Sequence, residues 1–154
     1  MDRALELVLL VLQAFLVAFM WAHDWVPLGT LNDIPAVRRR GSTQRRVAIT
    51  LLQSISFTIG LALSAAYFGH VYPFWIREWL WVSYVALFVA HSHAWWGPYL
   101  WSDPRRAARY EVMFGSTHSF LPARHGMVPN TLHTLVHAAT FATLVVLVAS
   151  RVLV

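Results

Sequence analysis

The chain contains no cysteine. Disulfides, thiolate metal ligands and cysteine nucleophiles are excluded together, so any chemistry must run on His, carboxylate, hydroxyl or Arg groups. Charge is sparse as well, at 12% of residues against 58% hydrophobic ones. The net charge of +5 is carried by arginine without any lysine. No stacking platform or basic-groove pattern accompanies it, which argues against nucleic acid as a partner. What remains is a 154-residue chain with eight Trp and long uncharged runs, the composition of an integral membrane protein whose first partner is the lipid bilayer.

Four runs lack formal charge and approach or exceed the ~20 residues that cross a bilayer as helix. They are Leu7 to Ala22, Val47 to Phe68, Trp79 to Leu100 and Thr131 to Ser150. The first is short, and the shallow Glu6 lets it extend toward the N-terminus. It is read as a retained span, because MDRALEL lacks the basic start of a signal peptide and the run leaves through Trp21, His23, Asp24 and Trp25. The expected fold is all-α: one domain over residues 1–154, an integral membrane four-helix bundle with spans at about 4–23, 47–68, 79–100 and 131–150.

Short basic loops stay cytoplasmic, so the arginines orient the bundle. Nine of them (Arg38, Arg39, Arg40, Arg45, Arg46, Arg105, Arg106, Arg109 and Arg124) fall in the connections after spans one and three, against Arg3, Arg77 and Arg151 on the other side. Both termini are thus expected outside the cell membrane and both long connections in the cytoplasm. Seven histidines then share the cytoplasmic end: His23, His91, His93, His118, His125, His133 and His137, with only His70 opposite. Asp24, Asp33, Asp103 and Glu111 lie on that side too.

Spacing narrows the set. His133 and His137 are i, i+4 neighbours on one helix face, whereas His91 and His93 point to nearly opposite faces. At 1.5 Å rise per residue, His91 and His137 reach similar depths and can meet between antiparallel helices. Between spans three and four, Asp103-Pro104 predicts a helix start, Arg105 to Phe114 a short interfacial helix and Gly115 its stop. The following FGSTHSFLPARHGMVPN breaks into a loop that can fold over the bundle mouth, carrying His118 or His125, and ends at Asn130, a good helix cap.

The run WWGPY (Trp95 to Tyr99), then Tyr110, then THSFLPARHGMVPNTLH (Thr117 to His133) resembles a group of small four-span bacterial integral membrane proteins, with LND (Leu31 to Asp33) a fainter match. The resemblance covers roughly the C-terminal third. It implies the four-span architecture and carries no activity.

The HTLVH pair reads two ways. As ligands, His133 and His137 with His91 and His23 could hold zinc or iron; as structural imidazoles they bond hydroxyls, carbonyls or water. Haem between His91 and His137 is the narrower version, opposed by the bulky Phe88 and Trp95 beside His91. Asp24, next to His23, is a candidate acid or base, while Asp33 reads as an N-cap with Pro35 following. Gln53, Ser56, Gly60 and Ser64 form a stripe that packs helices closely or lines a polar path, packing being favoured. The arginine groups read first as topology determinants, and also as a rim that attracts anionic lipid or a phosphate-bearing substrate.

These residues point first to a membrane-embedded enzyme acting on a lipid-like or hydrophobic small molecule, with His133, His137, His91 and Asp24 as acid-base groups or ligands. A transporter or channel with proton-relaying histidines comes second. A non-catalytic accessory subunit comes third, its aromatic surfaces serving as protein contacts and oligomers being compatible with them.

Overall fold

Asp2 opens the first helix by accepting the Ala4 N–H at 2.7 Å. In the computed structural model, which describes residues 2–152, that helix, α1, runs Arg3–Ala22 and buries Glu6, Leu9, Gln13, Leu16, Phe19 and Met20 along one face. A 3-10 turn at Gly29–Leu31 leads to α2, Ile34–Arg39, whose N-cap is Asp33, accepting from Ala36 N–H at 2.8 Å. Ser42 caps α3, Thr43–Ala66. The helix α4 spans Phe74–His91, a π-helical turn covers Ser92–Trp96, and α5 is the single turn Gly97–Leu100. Asp103 caps α6, Pro104–Phe114, with Gly115 at its C-cap as the sequence predicts, and α7 is Thr131–Val152.

The fold is all-helical, and among the described residues the only β feature is an isolated bridge between Arg124 and Met127. His125 and Gly126 inside that bridge take φ of 51° and 75°, the positive pair that a tight turn of this kind requires. The helices α1, α3 and α7 are long and apolar enough to cross a membrane, which is compatible with a membrane protein. The fourth long helix, α4, carries Arg77 and Glu78 in its second turn and the tryptophans Trp75, Trp79 and Trp81, which lower its hydropathy.

The run expected as one span over 79–100 is helical throughout and passes through the π-helical turn Ser92–Trp96 just ahead of Pro98. Pro98 has no N–H to offer. In π register it would serve the His93 carbonyl and in α register the Ala94 carbonyl. Those two oxygens instead accept from the Arg106 guanidinium at 2.9 Å and the Tyr110 hydroxyl at 3.3 Å, which bolts α6 to the turn.

Around the bundle, α1 packs on α3 and α7, α7 packs on α4, and α3 meets α4 over a small area. Gly60 permits that meeting: a Cβ there would stand 3.2 Å from Tyr84 Oη and 3.7 Å from Gln13 Nε2. This supports the packing reading of the small-residue stripe. The two long connections meet at one end of the bundle. Ser116 Oγ donates to Asp33 Oδ2 at 2.7 Å, His118 N–H to the Thr30 carbonyl at 2.7 Å, and Thr131 N–H to the His118 carbonyl at 2.9 Å. At the opposite end buried Glu6 accepts the Gly69 N–H at 2.8 Å, and Arg151 pairs with Glu78 at 2.6 Å.

Candidate functional site

The first turn of α7 sets the chemistry of His133. Asn130, 1% exposed, caps the helix with its side-chain oxygen. Oδ1 accepts the His133 backbone N–H at 2.9 Å and faces His133 Nδ1 at 2.7 Å. An amide oxygen only accepts, so Nδ1 carries the proton and Nε2 of the neutral ring keeps the lone pair. The ring lies against Trp95, centroid to centroid 4.3 Å, and edge-on to Phe114 at 5.0 Å and His23 at 6.0 Å.

One turn further on, His137 has the opposite tautomer. The Trp96 indole N–H donates to its Nδ1 at 2.9 Å. An indole has nothing but a donor, so Nδ1 holds the lone pair and Nε2 carries the proton. The π-helical turn makes this arrangement, because it sets the consecutive Trp95 and Trp96 against successive turns of α7. Such turns recur at functional sites.

His91 stacks on His137 at 5.2 Å and on Phe57 at 6.0 Å, and its buried Nδ1 has no protein partner. His93 faces away and is exposed on a lateral groove. His23 ends α1, with Nδ1–H donating to the Phe19 carbonyl at 3.0 Å and Nε2 3.3 Å from Asp24 Oδ1.

The structure thus brings four of the sequence-selected histidines, His23, His91, His133 and His137, to the wall of one cavity of about 210 Å³. Tyr110, Met113 and Phe114 of α6 also line it. A shallower outer lobe of about 100 Å³ shares His23, Arg40, Gln53, Met113, Phe114 and His133 with it and adds Asp24, Ser42, Arg45 and Arg46. Burial raises the Tyr110 hydroxyl above the usual phenol range, so this group on the cavity wall is neutral.

The loop does not deliver its histidines to the mouth. His118 is exposed and fastens the loop, with Nδ1 2.8 Å from Thr131 Oγ1, and His125 is exposed in its turn. The cover is α6, because Ala107, Tyr110, Met113 and Phe114 form its buried or half-buried face.

Among the described residues no group of three or more His, Asp or Glu is arranged to hold a metal ion. Nδ1 of His23, His133 and His137 is committed to hydrogen bonds. The zinc or iron set expected from His23, His91, His133 and His137 is not shown among the described residues; the Nδ1 hydrogen bonds orient the rings without using their Nε2 atoms. Haem does not fit, since His91 and His137 stack at an interplanar angle of 29° rather than opposing each other across a porphyrin-sized gap.

Several residues here escaped the sequence reading of the site. Trp95 read only as bulk beside His91, Trp96 had no site role, Gln53 read as packing, Arg40 and Arg46 as topology or a general basic rim, and Asn130 as a cap alone. One signal was available: Asn-x-x-His at a helix start places the cap oxygen beside residue N3 and its ring. No known protein family, curated protein or solved structure matches the chain.

Proposed function

We propose that this chain is a membrane-embedded enzyme that performs acid-base chemistry on a lipid-like or other hydrophobic small molecule. The observation that carries the reading is the opposed tautomers of His133 and His137 in one cavity. His133 Nε2 acts as the base and His137 Nε2–H as the acid, with His91 stacked behind the acid. The pair His23–Asp24 stands at the junction of the two lobes as a charged partner.

Two further observations support it. Trp96, whose indole sets the His137 tautomer, also walls a separate apolar groove of about 640 Å³ lined with Phe88, Val89, Pro98, Leu100 and Trp101, a surface suited to a hydrophobic chain. Phe57, fully buried and stacked on His91, packs apolar bulk behind that cavity-lining ring, which favours a closed pocket over a transport path.

All four long helices cross the membrane in this reading. The outward face of α4 is apolar at Val82 and Val89, 66% and 59% exposed, as are Leu52 on α3 and Phe141 on α7. Such a belt on a water-soluble bundle would be an aggregation hazard, and lipid accounts for it. The arginine bias puts the cavity on the cytoplasmic side.

The test is turnover. Detergent-purified protein incubated with a membrane lipid extract should change at least one component by mass spectrometry. His133→Gln should lower the rate by roughly a hundredfold or more, with helix content unchanged by circular dichroism. Equal conversion by His133→Gln, by His137→Phe and by the unaltered chain would remove the acid-base assignment.

A further inference from the structure

We infer that the outer lobe is a phosphate-binding site, and that the molecule entering the histidine cavity carries a phosphate group as its polar handle. This deepens the proposed function and rests on it only for what happens beyond the handle. The lobe is lined by Arg40, Arg45 and Arg46 together with Ser42. Arg46 lies over the Trp25 ring at 4.0 Å, and the Trp25 N–H is itself spent on Thr50 Oγ1 at 2.9 Å. The guanidinium is thus held over a fixed indole, while among the described residues its buried Nε has no hydrogen-bond partner. Arg45 donates to the Arg40 carbonyl at 3.0 Å, and Gly41 allows the close approach, since a Cβ there would meet the Arg45 Cδ at 3.1 Å.

This local charge is uncompensated. Among the described residues no carboxylate pairs with Arg40, Arg45 or Arg46, and the one acid on the wall, Asp24, faces His23. The first turn of α3 adds its own N-terminal positive end and holds no acidic residue. Three arginines and a hydroxyl on one lobe supply more positive charge and more donors than a monoanion can use, and they suit a phosphate dianion. Arg40 lines both lobes, so a phosphate held there leaves the attached group against His133.

Binding to the purified full chain tests this, with quenching of tryptophan fluorescence as one signal and calorimetry as a second. The probes are short-chain phosphatidic acid, the matching diacylglycerol, octanoate and inorganic phosphate. Phosphatidic acid should bind, inorganic phosphate should compete with it, and octanoate and diacylglycerol should not. Arg40→Gln and Arg46→Gln should each weaken phosphatidic acid binding about tenfold, whereas Arg105→Gln, exposed on α6 and outside the lobe, should not. Affinity for phosphatidic acid far above that for inorganic phosphate identifies a lipid headgroup, and equal affinities identify a soluble phosphate ester; both support the site. Octanoate binding as tightly as phosphatidic acid, or full affinity in the Arg40→Gln/Arg46→Gln double variant, overturns it. His137→Phe, outside the lobe, should leave phosphate competition intact, so loss of turnover without loss of binding separates the enzyme reading from this one.

Discussion

Asn130 and Trp96 decide what the two histidines of α7 can do, because each presents a hydrogen-bonding group of one polarity to an imidazole that accepts either. Trp96→Phe removes the donor and frees the His137 tautomer. The expected result is a mixed ring-nitrogen signature for His137 by nitrogen NMR and a loss of roughly 1–3 kcal/mol of stability, read from thermal unfolding. A single unaltered tautomer would show that another group sets it. Asp33 offers a pH test at the same scale. The Ser116 hydroxyl, and after it the Ala36 N–H, hold the Asp33 carboxyl below the usual carboxylate range. A depressed carboxylate stabilises the fold above its unfolded pKa, and that contribution is lost as pH falls through the folded value. Protection of the Ala36 amide should therefore persist down to about pH 4 and fall only below it. Loss of protection between neutrality and pH 5 would contradict the Ser116 tie.

Among the elements, the turn Ser92–Trp96 and α6 act as one unit, since the carbonyls that Pro98 cannot serve are the ones that hold Arg106 and Tyr110. Pro98→Ala returns an N–H to the helix ladder. It should make the amides from Ser92 to Leu100 exchange more slowly while lowering turnover as Trp96→Phe does, because straightening the turn moves Trp96 off His137. Slower exchange with full turnover would separate the turn from the site. Gly60 tests the packing of α3 on α4 and α1. Gly60→Val forces a Cβ to within 3.2 Å of Tyr84 Oη and should cost about 1–3 kcal/mol in thermal unfolding. Adding Tyr84→Phe should recover part of that loss, and a purely additive double variant would place the strain elsewhere.

For the molecule as a whole, the absence of cysteine makes topology directly measurable. Single cysteines at Ser42 and Ser116, both exposed at the end that holds the cavity, should be shielded from membrane-impermeant thiol reagents in intact cells. One at Val71, 88% exposed at the opposite end, should react. The reverse pattern would move the cavity and its arginine lobe to the outer side and remove the cytoplasmic assignment. Labelling at all three positions would argue against a membrane-crossing bundle.

Long uncharged runs and capping residues are local properties, and they were legible without coordinates. Helices at Arg3–Ala22, Thr43–Ala66 and Thr131–Val152, the caps at Asp33, Asp103 and Asn130, and the short helix α6 all follow from neighbours within a few positions. The i, i+4 pair His133 and His137 and the divergence of His91 from His93 are equally local. Tertiary structure decided the rest. Whether an imidazole is acid, base or ligand depends on which atom faces each ring nitrogen, and Trp96 meets His137 across 41 positions of chain. The cover over the cavity is α6 rather than the histidine-bearing loop because Arg106 and Tyr110 anchor it to the His93 and Ala94 carbonyls of the π-helical turn, a consequence of helix register that composition does not encode. Arg40, Arg45 and Arg46 read in the sequence as topology signals and as part of a basic rim open to anionic lipid or a phosphate-bearing substrate. Only the fold sets them around the same cavity as the histidines, because the two long connections meet at one end of the bundle.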